Sequence, residues 1–227
     1  MVFSEWTCCA GTTAKEQEIN VLQLPGERDS AVVAGAVISS CCPANAPATT
    51  TPPNRFSVSL LKQAGTATIG VILDPSDART LQVCSLQTNS IVGAYNQEAR
   101  SELQIRVGDA ITAVNGFSST AEEMTDELVK SDKCEFQVAR PAIRFITVDK
   151  HGGALGLKLN YAKRGRSLCI DRIGEGAIMD WNTANLSEPV QEKDRIMSVN
   201  GVEGNPAELL AELGSAAVVK LQLGRVV

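Results

Sequence analysis

The side chains able to do chemistry are few, and their spacing limits what they can do. The chain has one histidine, His151. A Ser-His-Asp or Cys-His device needs that ring beside a nucleophile. His151 stands instead in a glycine-rich stretch, Lys150-His151-Gly152-Gly153-Ala154-Leu155-Gly156-Leu157, where a solvated loop position is expected. Of the seven cysteines, Cys8-Cys9 and Cys41-Cys42 form two adjacent pairs. Four thiolates suit zinc, but paired zinc ligands are usually separated by two residues, so no metal is expected. Acylation is the other reading for Cys8 and Cys9. Cys84, Cys134 and Cys169 lie in strand-like apolar stretches, and buried free thiols of a reducing compartment are expected. Gly174-Glu175-Gly176 hints at a dinucleotide turn, but Met179 occupies the third glycine position and no parallel sheet is expected. The chain reads as a non-enzyme, with no cofactor and no metal.

Recognition by backbone remains, and the elements that would position it occur twice. Val107-Gly108-Asp109-Ala110-Ile111-Thr112-Ala113-Val114-Asn115-Gly116 is answered by Glu192-Lys193-Asp194-Arg195-Ile196-Met197-Ser198-Val199-Asn200-Gly201. Each copy is a short alternating strand running into Asn-Gly, which adopts the positive φ of a tight turn. Asp109 and Asp194 precede the strands and suit local backbone hydrogen bonds. Ile69-Gly70-Val71 matches Leu155-Gly156-Leu157, and Tyr95-Asn96 matches Trp181-Asn182, both at an offset of 86. The Asn-Gly pairs, and Leu128 with Leu213, match at 85. Four landmarks in step, with one single-residue gap, indicate a tandem duplication.

The 227 residues therefore divide into an N-terminal extension with a Pro/Thr-rich linker (1–53), a first unit (54–140) and a second (141–227). Hydrophobic content of 44% and charged content of 21% are ordinary for globular protein. A net charge of −5 gives no basic footprint for nucleic acid. No run approaches the roughly 20 apolar residues of a membrane span; Ala31 to Ile38 is too short. No secretory signal is evident, and Val2 excludes N-myristoylation. An intracellular, reducing location is expected, cytoplasmic first, with peripheral membrane association as the alternative.

Before the linker, Glu16 to Leu24 and Ala31 to Ile38 are candidate elements. In the first unit, strands are expected at Arg55–Leu61, Ile69–Leu73, Thr80–Leu86, Ile111–Val114 and Cys134–Val138, with Gln63–Thr68 a loop and helices at Asn89–Arg100 and Ala121–Lys130. In the second they are expected at Ile143–Val148, Leu155–Leu159, Ser167–Ile173, Ile196–Val199 and Val218–Leu223. Its helices are expected near Ala177–Trp181 and from Pro206, capped by Asn205, to about Leu213-Gly214. Only Pro141-Ala142 joins the units, so their arrangement should be tightly limited.

The apolar-Gly-apolar loop with the Gly-Asp-x-Ile-x-x-Val-Asn-Gly strand resembles a PDZ domain, twice over, across about residues 55 to 224. The resemblance implies a mainly β fold with short helices: two PDZ-like, partly open β-barrel or sandwich domains in tandem. It implies an adaptor that binds protein C-terminal or extended peptides by strand addition. A glycine flanked by apolar residues leaves consecutive N–H groups free for a carboxylate. The implied groove residues are Ile69, Gly70, Val71, Ala121, Thr125 and Leu128 in the first unit. In the second they are Lys150, Leu155, Gly156, Leu157, Leu159, Pro206, Leu210 and Leu213. Many PDZ domains begin the groove helix with histidine; Ala121 and Pro206 stand there, so a preference for Ser or Thr two residues from the peptide end is not implied. Repeat 2, with more glycines in its loop, is expected to be the stronger site. The alternative is a non-catalytic subunit packed permanently in a larger assembly. Val226-Val227 adds weak self-association as a further alternative.

Overall fold

The computed structural model describes residues 54–62 and 68–226. The readings made on residues 1–53, including both cysteine pairs, and on most of the loop 63–67 lie outside the described residues.

The chain is mainly β with short helices, arranged as two antiparallel sheets. The first half runs β1 (Arg55–Leu61), β2 (Val71–Asp74), β3 (Leu81–Leu86), α1 (Ile91–Glu98), β4 (Ala110–Val114), α2 (Ala121–Lys130) and β5 (Lys133–Ala139). The second runs β6 (Ala142–Asp149), β7 (Leu157–Asn160), β8 (Leu168–Ile173), α3 (Ala177–Ala184), β9 (Arg195–Val199), β10 (Val202–Glu203), α4 (Pro206–Ser215) and β11 (Val218–Arg225). The sheet orders are β1-β5-β4-β3-β2 and β6-β11-β9-β8-β7, with β10 hairpinned onto β9. The two orders are the same path drawn twice, and β2 and β7 are left as corresponding edges.

Each sheet has its own core because alternation buries one face. In β1, Phe56, Val58 and Leu60 point inward and meet Phe136, Ile111, Met124 and Leu128. Ile146, Val148, Ile170, Ile196, Leu209 and Leu221 fill the second core. The helices begin where local chemistry starts them. Ser90 accepts from the Gly93 amide, Thr120 from Glu123, and Asn205 from Ala207 just before Pro206. Pro75 follows the last residue of β2, where it cannot extend the ladder.

The repeated landmarks carry repeated hydrogen bonds. Asn96 clamps Ile105, accepting from its N–H (2.9 Å) and donating to its carbonyl (2.8 Å). Asn182 does the same to Val190 at 2.7 and 2.9 Å. Asn115 and Asn200 sit at φ +49° and +51°. Asn115 donates to Glu127 of α2 and accepts from the Glu135 N–H; Asn200 donates to Glu212 of α4 and accepts from Lys220. The Asn of each Asn-Gly turn is thus a three-way tie between strand, helix and closing strand. Asp109 and Asp194 accept from the Arg106 and Gln191 amides, as turn residues do, and also pair with the half-buried Arg140, and with Arg144 and Arg225, respectively.

Two elements leave apolar side chains outside. Val129 of α2 is exposed, because only Ala121, Met124, Thr125 and Leu128 turn inward. In β6, Arg144 takes the inward position and bonds Asp194, which leaves Ile143 and Phe145 on the outer face.

Candidate functional site

Two loops and two edge strands form the candidate site. In the second half, three consecutive carbonyls are drawn to one side. Ala154 O accepts from Ala177 N (3.0 Å), Leu155 O from Ile178 N (3.1 Å) and Gly156 O from Gly174 N (2.7 Å). All these peptide bonds are trans, so each N–H points opposite to the carbonyl of its own peptide unit. The amides of Leu155, Gly156 and Leu157 therefore project away from α3 and β8. Among the described residues no acceptor meets those of Leu155 and Gly156. The first half repeats the device: Thr68, Ile69 and Gly70 carbonyls accept from Ile91, Val92 and Gln87 at 3.2, 3.1 and 2.8 Å. The amides of Ile69, Gly70 and Val71 are turned outward in the same way. Consecutive outward N–H groups form a concavity that suits an anion.

Glycine is required at the centre of both loops. Gly70 and Gly156 have φ of +78° and +76°. A Cβ on Gly156 would lie 2.5 Å from the Glu175 carbonyl oxygen, and one on Gly70 would lie 2.1 Å from Ser90 Cβ. Substitution there disrupts the seat of the loop as well as its free face.

The walls differ between the halves. Leu157 and Leu159 on β7 and Leu210 on α4 are half-buried against the second core, with Pro206 and Leu213 beneath. Lys150 donates to the carbonyls of Leu213 (3.0 Å) and Gly214 (3.3 Å), so it fastens the loop to the last turn of α4. Lys62 does the same to Leu128 of α2. In the first half Val71, Ala121, Thr125 and Leu128 are all buried, and Thr125 turns its hydroxyl back to the Ala121 carbonyl. The Ala121 amide also donates to Ala78 O (3.0 Å), pinning the β2–β3 turn to the start of α2. Pro206, the counterpart, has no N–H to give. The walls of the second half are therefore the less completely buried of the two. His151 lies exposed beyond it, its Nδ1 3.5 Å from Asp149.

The strongest electrostatic feature lies elsewhere, between the halves. Arg195 at the start of β9 is buried against the first sheet. Its Nη1 donates to Asp74 (2.9 Å), Gln82 (3.1 Å), Ser167 (3.2 Å) and Ser76 (3.3 Å), and its Nη2 to Asp77 (3.3 Å). Burial works against its charge, but Asp74 and Asp77 outweigh that and hold its pKa above the ordinary value. A cleft of about 300 Å³ adjoins it, lined by Arg79, Thr80, Lys193, Met197 and Arg225 among others and by none of the groove residues. A signal for this joint existed. At the repeat offsets Arg195 aligns with Ala110, Asp74 with Asn160, Asp77 with Lys163 and Ser167 with Leu81. The charges stand where the copies differ.

Cys84, Cys134 and Cys169 are buried free thiols. Burial, with the Asp74 carboxylate behind it, pushes the Cys84 thiol up to about 12; burial pushes Cys169 up to about 11. Among the described residues no group of His, Cys, Asp and Glu is placed to hold a metal, and no helix is long and apolar enough to cross a membrane.

No family model matches the chain, and no curated protein matches it. Among solved structures it is similar to INAD PDZ45 in complex with NG2 peptide, at 20% identity over 80% of this chain and 94% of that one. The TM-score is 0.32, a loose likeness that carries no functional argument.

Proposed function

We propose that the chain is a non-catalytic adaptor with two PDZ-like units, at 54–140 and 141–227, that takes protein C-termini by strand addition. The observation that carries this reading is the row of outward amides at Leu155, Gly156 and Leu157, set at the head of the open edge strand β7. A terminal carboxylate fits the amides, a peptide backbone fits the edge, and its last side chain fits against Leu157, Leu210 and Leu213. Lys150 acts by holding α4 to the loop. The second groove is the stronger site, because the walls of the first are more completely buried and its helix start is tied to the β2–β3 turn at Ala78–Ala121. The test is fluorescence anisotropy on the full chain with apolar-ended peptides, free acid against C-terminal amide. Micromolar binding that amidation abolishes is expected; equal binding of the two forms refutes the reading.

One observation favours the structural-subunit alternative. Phe145 on edge strand β6 is 75% exposed, with Ile143 beside it. An exposed apolar edge is a surface that a partner covers. A chain that binds no free-acid peptide yet co-purifies in a stoichiometric complex would establish that reading instead.

A further inference from the structure

The second groove has a charge its counterpart lacks. Residues 157–172, the β7–β8 hairpin, carry Lys158, Lys163, Arg164, Arg166 and Arg172 against Asp171 alone, a local charge of +4. The matching hairpin, residues 71–86, carries Arg79 against Asp74 and Asp77, a local charge of −1. The chain as a whole is at −5. Positive charge is thus concentrated on one hairpin of an acidic protein.

The hairpin is placed along the path of a bound peptide. Lys150 fixes the glycine loop at the C-terminal end of α4. The other end of the groove is the β7–β8 turn: Arg166 Nη2 lies 3.0 Å from where a Cβ on Gly204 would be, two residues before α4 begins. Gly165 N donates to Ala162 O (2.8 Å), closing a turn with Lys163 and Arg164 at its tip. The first half holds this turn in place. Asn160 donates to the Ser76 carbonyl (2.6 Å), and Gly165 is packed so closely that a Cβ there would meet Asp74 at 3.0 Å. Along β7, Lys158 and Asn160 are exposed on the outer face while Leu157 and Leu159 turn inward. A strand added at this edge would set its own outward side chains beside Lys158. After the roughly 13 Å spanned by four strand residues, it would reach Lys163.

We infer that the second groove selects peptides bearing acidic side chains on their outward-facing positions and about four to six residues before the C-terminus. This rests on the strand-addition reading above. Selection works by charge, so it raises the association rate and weakens with salt. The test uses the full chain and four fluorescent decapeptides sharing one apolar C-terminal tripeptide: Glu-rich or Gln-rich upstream, each as free acid and as amide. The Glu-rich acid should bind about five- to tenfold more tightly than the Gln-rich acid near 50 mM salt, and the gap should shrink by 0.5 M. Lys163→Glu should remove the gap and leave the Gln-rich acid unchanged. Equal affinity of the two free acids overturns the inference while leaving the groove reading standing. Failure of both free acids to bind overturns the groove reading itself. If the Glu-rich amide binds as well as its acid, or if phosphatidylserine vesicles are captured in a Lys163-dependent way without any peptide preference, the hairpin serves a charged surface outside the groove and the inference is wrong.

Discussion

Replacing Arg195 with Met tests whether the two halves form one unit. Met keeps the volume of the side-chain stem and removes every donor. Asp74, fully buried, then loses the one cationic partner it has among the described residues, and there keeps one hydrogen bond, from the Ser76 amide at 2.8 Å. Asp77 fares better, because the Arg79 and Thr80 amides (2.8 and 2.6 Å) and the Thr80 hydroxyl still donate to it. Most of the penalty therefore falls on Asp74. Removing one partner of a buried ion pair typically costs about 3–5 kcal/mol, a large share of the roughly 5–15 kcal/mol that holds a domain folded. Equilibrium urea unfolding of the full chain reads the loss directly. Arg195→Met should lower the unfolding free energy by about that amount and split one transition into two as the halves uncouple. Adding Asp74→Asn should recover most of the loss, and Asp77→Asn much less. A loss under about 1 kcal/mol, or equal recovery by either second change, refutes the claim that Arg195 and Asp74 form the joint.

Two further outcomes follow from the geometry. The raised thiols of Cys84 and Cys169 stay protonated in the fold while the unfolded chain ionises them near their ordinary 9.0. Their contribution to stability is whole below pH 9 and falls by up to about 1.4 kcal/mol per pH unit per thiol as pH rises toward 11; mass-spectrometric mapping should also find both unalkylated in folded protein at pH 8, and rapid alkylation of either contradicts their burial. Asn200→Ala should destabilise by about 1–3 kcal/mol in the same urea assay, losing the Glu212 and Lys220 bonds at a left-handed position; Asn200→Gly loses the same bonds but relieves the backbone strain of the alanine variant, so wild-type stability in the glycine variant would show that the side-chain ties contribute nothing.

Much of the fold was legible because it rests on local chemistry. Alternation placed β1 at its bounds, and the Asn205-Pro206 cap placed the start of α4. The edge strands were read two residues early. Ile69-Gly70 and Leu155-Gly156 are apolar enough to look like strand, but their carbonyls turn to α1 and α3 instead of continuing a ladder. That turn creates the row of amides, and hydropathy carries no record of it. The resemblance implies the groove residues, whereas Arg195 stands at a position where the two copies differ. The repeat pattern carries no record of that joint, because its charges come from residues the copies do not share.

The fixed joint bears on partners that carry two tails. Arg140-Pro141, the two residues between β5 and β6, and the buried Arg195 set the separation and angle of the open edges β2 and β7. If both edges took tails as proposed, seating one tail at β7 would present the other to the weaker β2 groove at an effective concentration set by the partner's linker, because the joint adds little slack. Linkers too short to span the gap gain nothing, and longer ones lose gradually. The chain would then act as a gauge of length, sorting two-tailed partners by the spacing between their ends as well as by the sequence of either one.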